Sequence, residues 1–567
     1  MSGAAQHTYT AKNGKLSVIH GARIPLALLR LLFGDANSSS NSYHRDSDDG
    51  DDSSATTTTT NTSYTDTSLS PNHLFKRELA RSIYALSMDS SHLAVAHDDR
   101  YMLLERPEDD APMNYRLVSV GSDAAFPGES VTSLYCMSVY TPHGHQKQGR
   151  GQSLCVAVGY SSGYLRIFSI YGHLLTTHQF HPQALIRIRL RMPSQANSAQ
   201  ESGEMRYMTS NNIGSGNSVN NHGVSSAVDD AEEVCLTYTN GTMVSIDGKS
   251  LYLALRLCLN EASSAESDEP MFQYKKWAFD LNTPLVSDAV SYGPSAHRDP
   301  LASLAKATMT SSPLLSDATA RFLVAPQHGD AAFGVFMTNE DAAMSFSAVD
   351  IAGKMAARVT GAVLSIAKSY FWRSSSQPSS RNSDSTSHGA AGTSDPGTLV
   401  PCAFAVRDSP RKVLDISLAP AQYSLATLTD SLGRVLVFDL ESCEIIHMLK
   451  GLRGSQCAWL ETESPDETSG TAHDDDRVSQ RRRRMFIVVY AGKRGTVEVF
   501  ELGSLERSLA SVSVGLGWKL VQCPTQPLGG SLVVGSAGSA RRAALPSLAS
   551  CMLLNESGHA AHIQINI

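Results

Sequence analysis

The chain has no uninterrupted apolar run of the roughly 18 residues that a membrane-spanning helix needs. Its first residues, "MSGAAQHTYTAKNG", lack the apolar core of a secretory leader. The run "IPLALLRLLF" (Ile24–Phe33) is too short and too far from the start to supply one. Nine cysteines are scattered, with no C-x-x-C pair and no His/Cys ligand spacing, so they are expected to be reduced, buried thiols in a non-secreted chain. There is no basic excess: the net charge is −8 and the pI about 6.2, which excludes the global positive field that draws a protein onto nucleic acid. No P-loop and no H-E-x-x-H is present, and a nucleophile elbow is not expected. No catalytic constellation, cofactor site or metal site is therefore expected. What remains is 567 residues, 41% of them hydrophobic, enough for several domains or one large repeat domain.

Four segments carry too little apolar surface to offset their ordering entropy and are expected to be disordered. They are 35–72, with "DSDDGDDSSATTTTTNT"; 193–230, rich in Ser, Asn and Gly; 374–399; and 461–484, acidic and then "RRRR". Between them the sequence is apolar and strand-like. Loop-closure cost grows only logarithmically with length, so these segments read as insertions inside one regular fold.

That fold repeats a hairpin. "CVAVGYSSGYLRIFS" (Cys155–Ser169) is an apolar strand, a polar turn ending in Gly163, and an alternating strand. Aligning Gly163 with Gly433 of "LATLTDSLGRVLVFDL" and Gly495 of "IVVYAGKRGTVEVFEL" places Phe168, Phe438 and Phe500 each five residues beyond the glycine. Two looser copies carry Gly241 with Ile246 and Gly558 with Ile563, and "HLAVAHDDRYMLLE" (His92–Glu105) keeps the rhythm without the glycine. Glycine suits a tight turn because φ > 0 costs nothing without a Cβ, and the residue five positions on would plug the space between sheets. The acids Asp439, Glu501 and Asp247 stand where a WD repeat places its Asp. The reading is an all-β, WD40-like propeller of seven blades, with eight as the alternative, and with "KLSVI" (Lys15–Ile19) as a strand that closes the ring.

Two helical patches interrupt the β pattern. Leu251–Ala262 is short and apolar. In Ala348–Ser374 the residues Ile351, Met355, Val359, Val363, Ile366 and Tyr370 recur at three- to four-residue steps, and Phe371 and Trp372 follow them. A polar face of small residues with little charge suits a helix that lies on lipid, but the stripe better suits packing against the rest of the fold or docking on a protein partner.

With these segments in place, the chain resembles the amino-terminal domain of the regulatory, non-catalytic subunit of the Rab-three GTPase-activating complex. The resemblance rests on an ordered set. "RSIYALSMDSSHLAVAHDDRYMLLERP", "GESVTSLYCMSVY", "CVAVGYSSGYLRIFSIYGHLL" and "MVSIDGKSLYLALRLCLNEA" are followed by "YKKWAF", "LATLTDSLGRVLVFDLESCEIIHMLKG" and "FIVVYAGKRGTVEVFELGSL". It implies a non-enzymatic protein that binds a catalytic subunit and regulates the nucleotide state of a Rab-family GTPase, by hydrolysis and by exchange, in vesicle and membrane traffic. It also implies a cytoplasmic protein, peripheral at the endoplasmic reticulum, that can meet a membrane surface but not nucleic acid. Family members usually continue for hundreds of residues where this chain stops, so it is expected to be a fragment or a reduced relative. A general WD-type scaffold and a peripheral membrane-binding propeller are the alternatives.

His143 and His145 in "TPHGHQKQGRGQ" read as a polar loop. Gly492–Gly495, "GKRG", lies between two strands and reads as a turn and not a phosphate cradle. Arg481–Arg484 reads either as a contact for anionic lipid or an acidic partner, or as a solvated loop guarding the strand "MFIVVY". In Tyr274–Trp277, Trp277 is either core or a partner anchor.

Overall fold

The computed structural model describes residues 8–33, 71–107, 114–121, 126–140, 152–193, 232–260, 272–281, 283, 285–294, 319–339, 397–464, 482–530 and 547–566. Their strands form seven sheets, four of them from strictly consecutive strands, which follow one another along the chain as the blades of a propeller. Blade 1 runs Ile83–Leu86, His92–His97, Arg100–Glu105, Arg116–Gly121, and blade 2 runs Val131–Tyr140, Gln152–Tyr160, Tyr164–Ser169, Leu174–Gln179. Blade 3 is Leu185–Arg191, Glu233–Tyr238, Met243–Asp247, Tyr274–Phe279, and blade 4 is Val286–Pro294, Thr319–Pro326, Ala331–Asn339, Cys402–Arg407. Blade 5 is Val413–Leu418, Leu425–Asp430, Arg434–Asp439, Glu444–Lys450; blade 6 is Ser455–Ser464, Arg482–Ala491, Thr496–Glu501, Ala510–Ser513.

Blade 7 joins the two ends of the described chain. Trp518–Gln522, Cys551–Asn555 and His559–Ile565 are followed in the sheet by Leu16–Arg23 and Thr8–Thr10. Leu16 lies opposite Ile565 and Val18 opposite Ile563, antiparallel. Blade 3 also gains a fifth strand, Thr398–Val400, which runs parallel to Trp277–Phe279.

The second and third strands of most blades are apolar on both faces because each sheet is packed on two sides. The core accordingly divides into seven hydrophobic clusters, one between each pair of consecutive blades, including blade 7 against blade 1. Phe168 packs toward blade 1, its ring 5.0 Å from that of Tyr101, and Phe438 toward blade 4, 5.6 Å from Phe333. Phe500 joins Val437 and Trp459 between blades 5 and 6.

The turns explain the glycines. Gly163 has φ +85°, and a Cβ there would sit 1.8 Å from the His181 carbonyl oxygen. Gly433 and Gly495 hold the same left-handed backbone at φ +93° and +67°. Blade 1 uses Asp98 at φ 50° instead, since Asp tolerates that region better than most side chains.

Three α-helices and a short 3-10 helix, Ala421–Tyr423, occur among the described residues. The helices α1 (Leu26–Phe33) and α2 (Pro71–Arg81) lie between the last strand of blade 7 and blade 1, with Leu29, Leu32 and Leu79 in the cluster between those blades. Helix α3 (Gly248–Asn260) starts earlier than its apolar run because Asp247 caps it, accepting the Ser250 N–H at 2.8 Å.

Parts of three expected insertions are ordered. Pro71 already belongs to α2, and residues 398–399 belong to the fifth strand of blade 3. The expected disorder of 461–484 is wrong at both ends: a ladder runs on to Ser464 and Arg482 and sets Glu463 opposite Arg483, a favourable cross-strand charge pair. Blade 4 also contains a hairpin around Gly329 that the five-residue spacing does not find. Its plug, Phe336, lies seven residues on, because the hairpin tip is two residues longer than in blade 2: Val324 lies opposite Gly334, whereas Val158 lies opposite Arg166.

Candidate functional site

Antiparallel blades have two unlike faces. Connections from second to third strand lie on one face, and those from first to second and from third to fourth lie on the other. All seven second-to-third connections are tight, at residues 98–99, 161–163, 239–242, 327–330, 431–433, 492–495 and 556–558. The segments 141–151, 194–231, 295–318, 465–481 and 531–546 all interrupt first-to-second connections, and 261–271 and 340–396 interrupt third-to-fourth ones. All of these leave from and return to one face.

The first strands line a central channel with a volume of about 710 Å³. In "LIRIRLR" (Leu185–Arg191) every second residue is Arg, so Arg187, Arg189 and Arg191 share one side of the strand and line it. Buried Asp288 on blade 4 accepts Arg189 with both oxygens at 2.7 Å, and the Ile416 N–H of blade 5 at 2.9 Å. Arg187 bridges to Asp415 at 3.0 Å. Burial alone would raise the Asp288 carboxyl, but Arg189 and Arg187 overcome it and hold the group below the usual carboxylate range. Three blades are thus bolted together at the channel wall.

The end of the channel on the insertion face is crossed by a strap, Cys523–Gly530, whose first four residues line it. Leu528 donates its N–H to Ser138 and accepts the Tyr140 N–H, on blade 2. The Gly529 N–H meets the buried Glu232 carboxylate at 2.7 Å, and a Cβ on Gly529 would collide with the Tyr252 ring of α3.

The residues singled out from sequence do not form one cluster. The turn glycines lie on the tight face and their phenylalanines between blades. Ile351, Met355, Val359, Val363, Ile366, Tyr370, Phe371 and Trp372 lie outside the described residues, as do His143, His145 and Arg481. Arg484 is not a loop residue: it is in a strand and donates to Glu501 at 2.6 Å. Trp277 is core, beside Phe322, and Lys276 donates to the Phe180 carbonyl oxygen at 3.1 Å. The acids Asp439 and Glu501 serve local structure, Asp439 accepting the Glu441 N–H at 2.8 Å.

One pattern goes against expectation. Gly159–Gly163, "GYSSG", fits G-x-S-x-G. Its Ser161 sits between two antiparallel strands, not before a helix, and its Oγ accepts the Ser130 N–H at 3.0 Å, so the strand–turn–helix of an elbow is missing. Burial pushes the Cys136 and Cys155 thiols up to about 12, away from nucleophilic use. Among the described residues no group of three His, Cys, Asp or Glu side chains could hold a metal, and no helix is long and apolar enough to cross a membrane.

Seven blades around a lined channel, closed by an amino-terminal strand, define a WD40-like β-propeller. The chain belongs to the family described as the Rab3 GTPase-activating protein regulatory subunit N-terminus, whose model matches residues 79–521, from the end of α2 through the first strand of blade 7. Solved structures that resemble it include Sqt1 of Saccharomyces cerevisiae, with 11% identity, 85% of this chain and 84% of that chain covered, and a TM-score of 0.34. The C-terminal WD40 domain of Sif2 has 10% identity, coverage of 85% and 95%, and a TM-score of 0.35. BBS1N in complex with ARL6DN has 6% identity, coverage of 86% and 91%, and a TM-score of 0.38.

Proposed function

We propose that this propeller is the non-enzymatic platform of a Rab GTPase-activating complex. It binds the catalytic subunit and thereby regulates the nucleotide state of a Rab-family GTPase in vesicle and membrane traffic. The catalytic subunit supplies the arginine that stabilises charge on the transferring phosphoryl group, and this chain positions it. The protein acts in the cytoplasm, peripherally at the endoplasmic reticulum. The observation that carries the reading is the family match across residues 79–521, which reaches into every blade. The described residues agree with a platform: five first-to-second and two third-to-fourth connections open on one face, while 34–70 joins blade 7 to blade 1 on the other.

The test is affinity purification of the tagged full chain from its own cells. Near one-to-one recovery of a Rab GTPase-activating catalytic subunit supports the proposal. A folded, soluble chain that recovers other partners and no such subunit refutes it in favour of a general scaffold.

A further inference from the structure

The second-to-third turns on the tight face read DD, SSG, TNGT, QHGD, SLG, GKRG and ESG from blade 1 to blade 7. Only the blade 6 turn, Gly492–Gly495, holds Lys or Arg, and it does not stand alone. The connection from blade 5 to blade 6 reads GLRG (Gly451–Gly454), and the two loops lie side by side. The Lys493 N–H donates to the Arg453 carbonyl oxygen, and the Gly492 N–H to that of Gly454, each at 3.1 Å. A Cβ on Gly454 would touch Lys493 Cγ at 3.5 Å, and one on Gly451 would meet Arg494 Nη2 at 3.4 Å. Lys450, the last residue of the outer strand of blade 5, completes the group.

All four cations are exposed. Among the described residues only Arg494 of the four has an ion-pair partner, Glu498 at 3.6 Å. Glu556 lies beside Gly517 at the edge of the group. Four cations thus face two carboxylates, an excess of two positive charges in a chain whose net charge is −8. The neighbouring Arg411 and Arg434, by contrast, are held by Asp408 and Asp430. Leucines flank the cations on both sides. Leu432, next to the Gly433 that packs on Arg453, is 51% exposed, and Leu516, next to the Gly515 that packs on Gly495, is 67% exposed.

We infer that this sector of blades 5 and 6 is the surface on which the propeller lies against an anionic lipid membrane. The inference deepens the peripheral placement in the functional reading and rests on it. Leu432 and Leu516 enter the interfacial layer, while Lys450, Arg453, Lys493 and Arg494 meet the lipid phosphates. The two turns are three and four residues long and built around glycine, so no bulky loop of theirs holds a flat surface away. A protein partner is the poorer fit. Protein interfaces centre on aromatic and arginine anchors and are depleted in lysine, whereas residues 431–433, 450–454, 492–495 and 514–517 hold two lysines and no aromatic residue.

The test is sedimentation of the purified full chain with phosphatidylcholine vesicles, with and without phosphatidylserine, at rising salt. Lys493→Gln/Arg494→Gln is compared with Lys249→Gln/Arg507→Gln, which removes two exposed cations from the opposite face. The expected result is binding that needs phosphatidylserine, weakened at least about tenfold by the first pair and little by the second. The first pair should also flatten the salt dependence, whereas Leu432→Ser/Leu516→Ser should weaken binding several-fold and leave that dependence as in the wild type. Amide exchange at 492–495 and 514–517 should slow in the vesicle-bound wild type, a readout that stands even if a variant fails to fold. A wild type that stays off phosphatidylserine vesicles, equal losses in the two charge pairs, or unchanged exchange in the bound chain overturns the surface. Capture of a polyglutamate peptide by these residues without vesicle binding assigns them to an acidic protein and also overturns it. The chain is tested alone, so failure here is distinct from failure to recover the catalytic subunit.

Discussion

Asp288 of blade 4 holds Arg189 of blade 3 through two 2.7 Å contacts in the channel wall, 99 residues apart in the chain. The aspartate is wholly buried, and it also receives the Ile416 N–H of blade 5. Asp288→Asn keeps the shape and removes the charge, leaving Arg189 without its counter-ion. A loss of about 3–5 kcal/mol is expected, read as a lowered midpoint in urea unfolding. An unchanged midpoint would show that the bolt does not hold the ring.

Gly163 and Gly14 separate two costs. Both have positive φ, but nothing lies within 4 Å of a Cβ on Gly14, whereas one on Gly163 meets a backbone carbonyl oxygen at 1.8 Å. Gly14→Ala is expected to cost about 1 kcal/mol from φ alone, and Gly163→Ala several times that, since backbone must move. Equal losses in thermal unfolding would contradict the turn geometry.

Ring closure depends on Val18, fully buried opposite Ile563. Val18→Asp places an unpaired carboxylate between blades 6 and 7. The expected loss exceeds about 3 kcal/mol, and it should speed proteolysis of blade 7 before that of blades 2 and 3. Uniform proteolysis would argue against a seam at this position.

Acid should weaken the fold through its neutral histidines. Burial, helped by the neighbouring Arg106 guanidinium, pushes His562 down to about 4; burial with nearby Lys276 does the same to His181. In the unfolded chain both titrate near about 6.5, so between that pH and about 4 the unfolded state binds more protons. Stability is full above the unfolded value and falls as pH drops through this window. His562→Gln should flatten part of the fall in a series of melting temperatures against pH; an identical slope in the variant would sink the assignment.

The hairpin phase was readable because one geometry, a left-handed glycine and a plug five residues later, recurs at Gly163, Gly433 and Gly495. Blade 4 escaped because its hairpin tip is two residues longer, which moves the plug to Phe336. The cap of α3 was written in Asp247, but the apolar run drew the start of the helix to Leu251. The strap and the Asp288 bolt were not legible at all. Asp288 and Ile416 meet because blades 4 and 5 pack side by side, and Glu232 and Gly529 only because the ring closes.

The central claim is that this propeller carries a catalytic partner. The most direct measurement is the mass, by light scattering, of the species formed when the purified chain and a Rab GTPase-activating catalytic subunit are mixed in equal amounts. A single species with the summed mass of one copy of each is the predicted result. Two species that keep their separate masses at micromolar concentration would contradict the account.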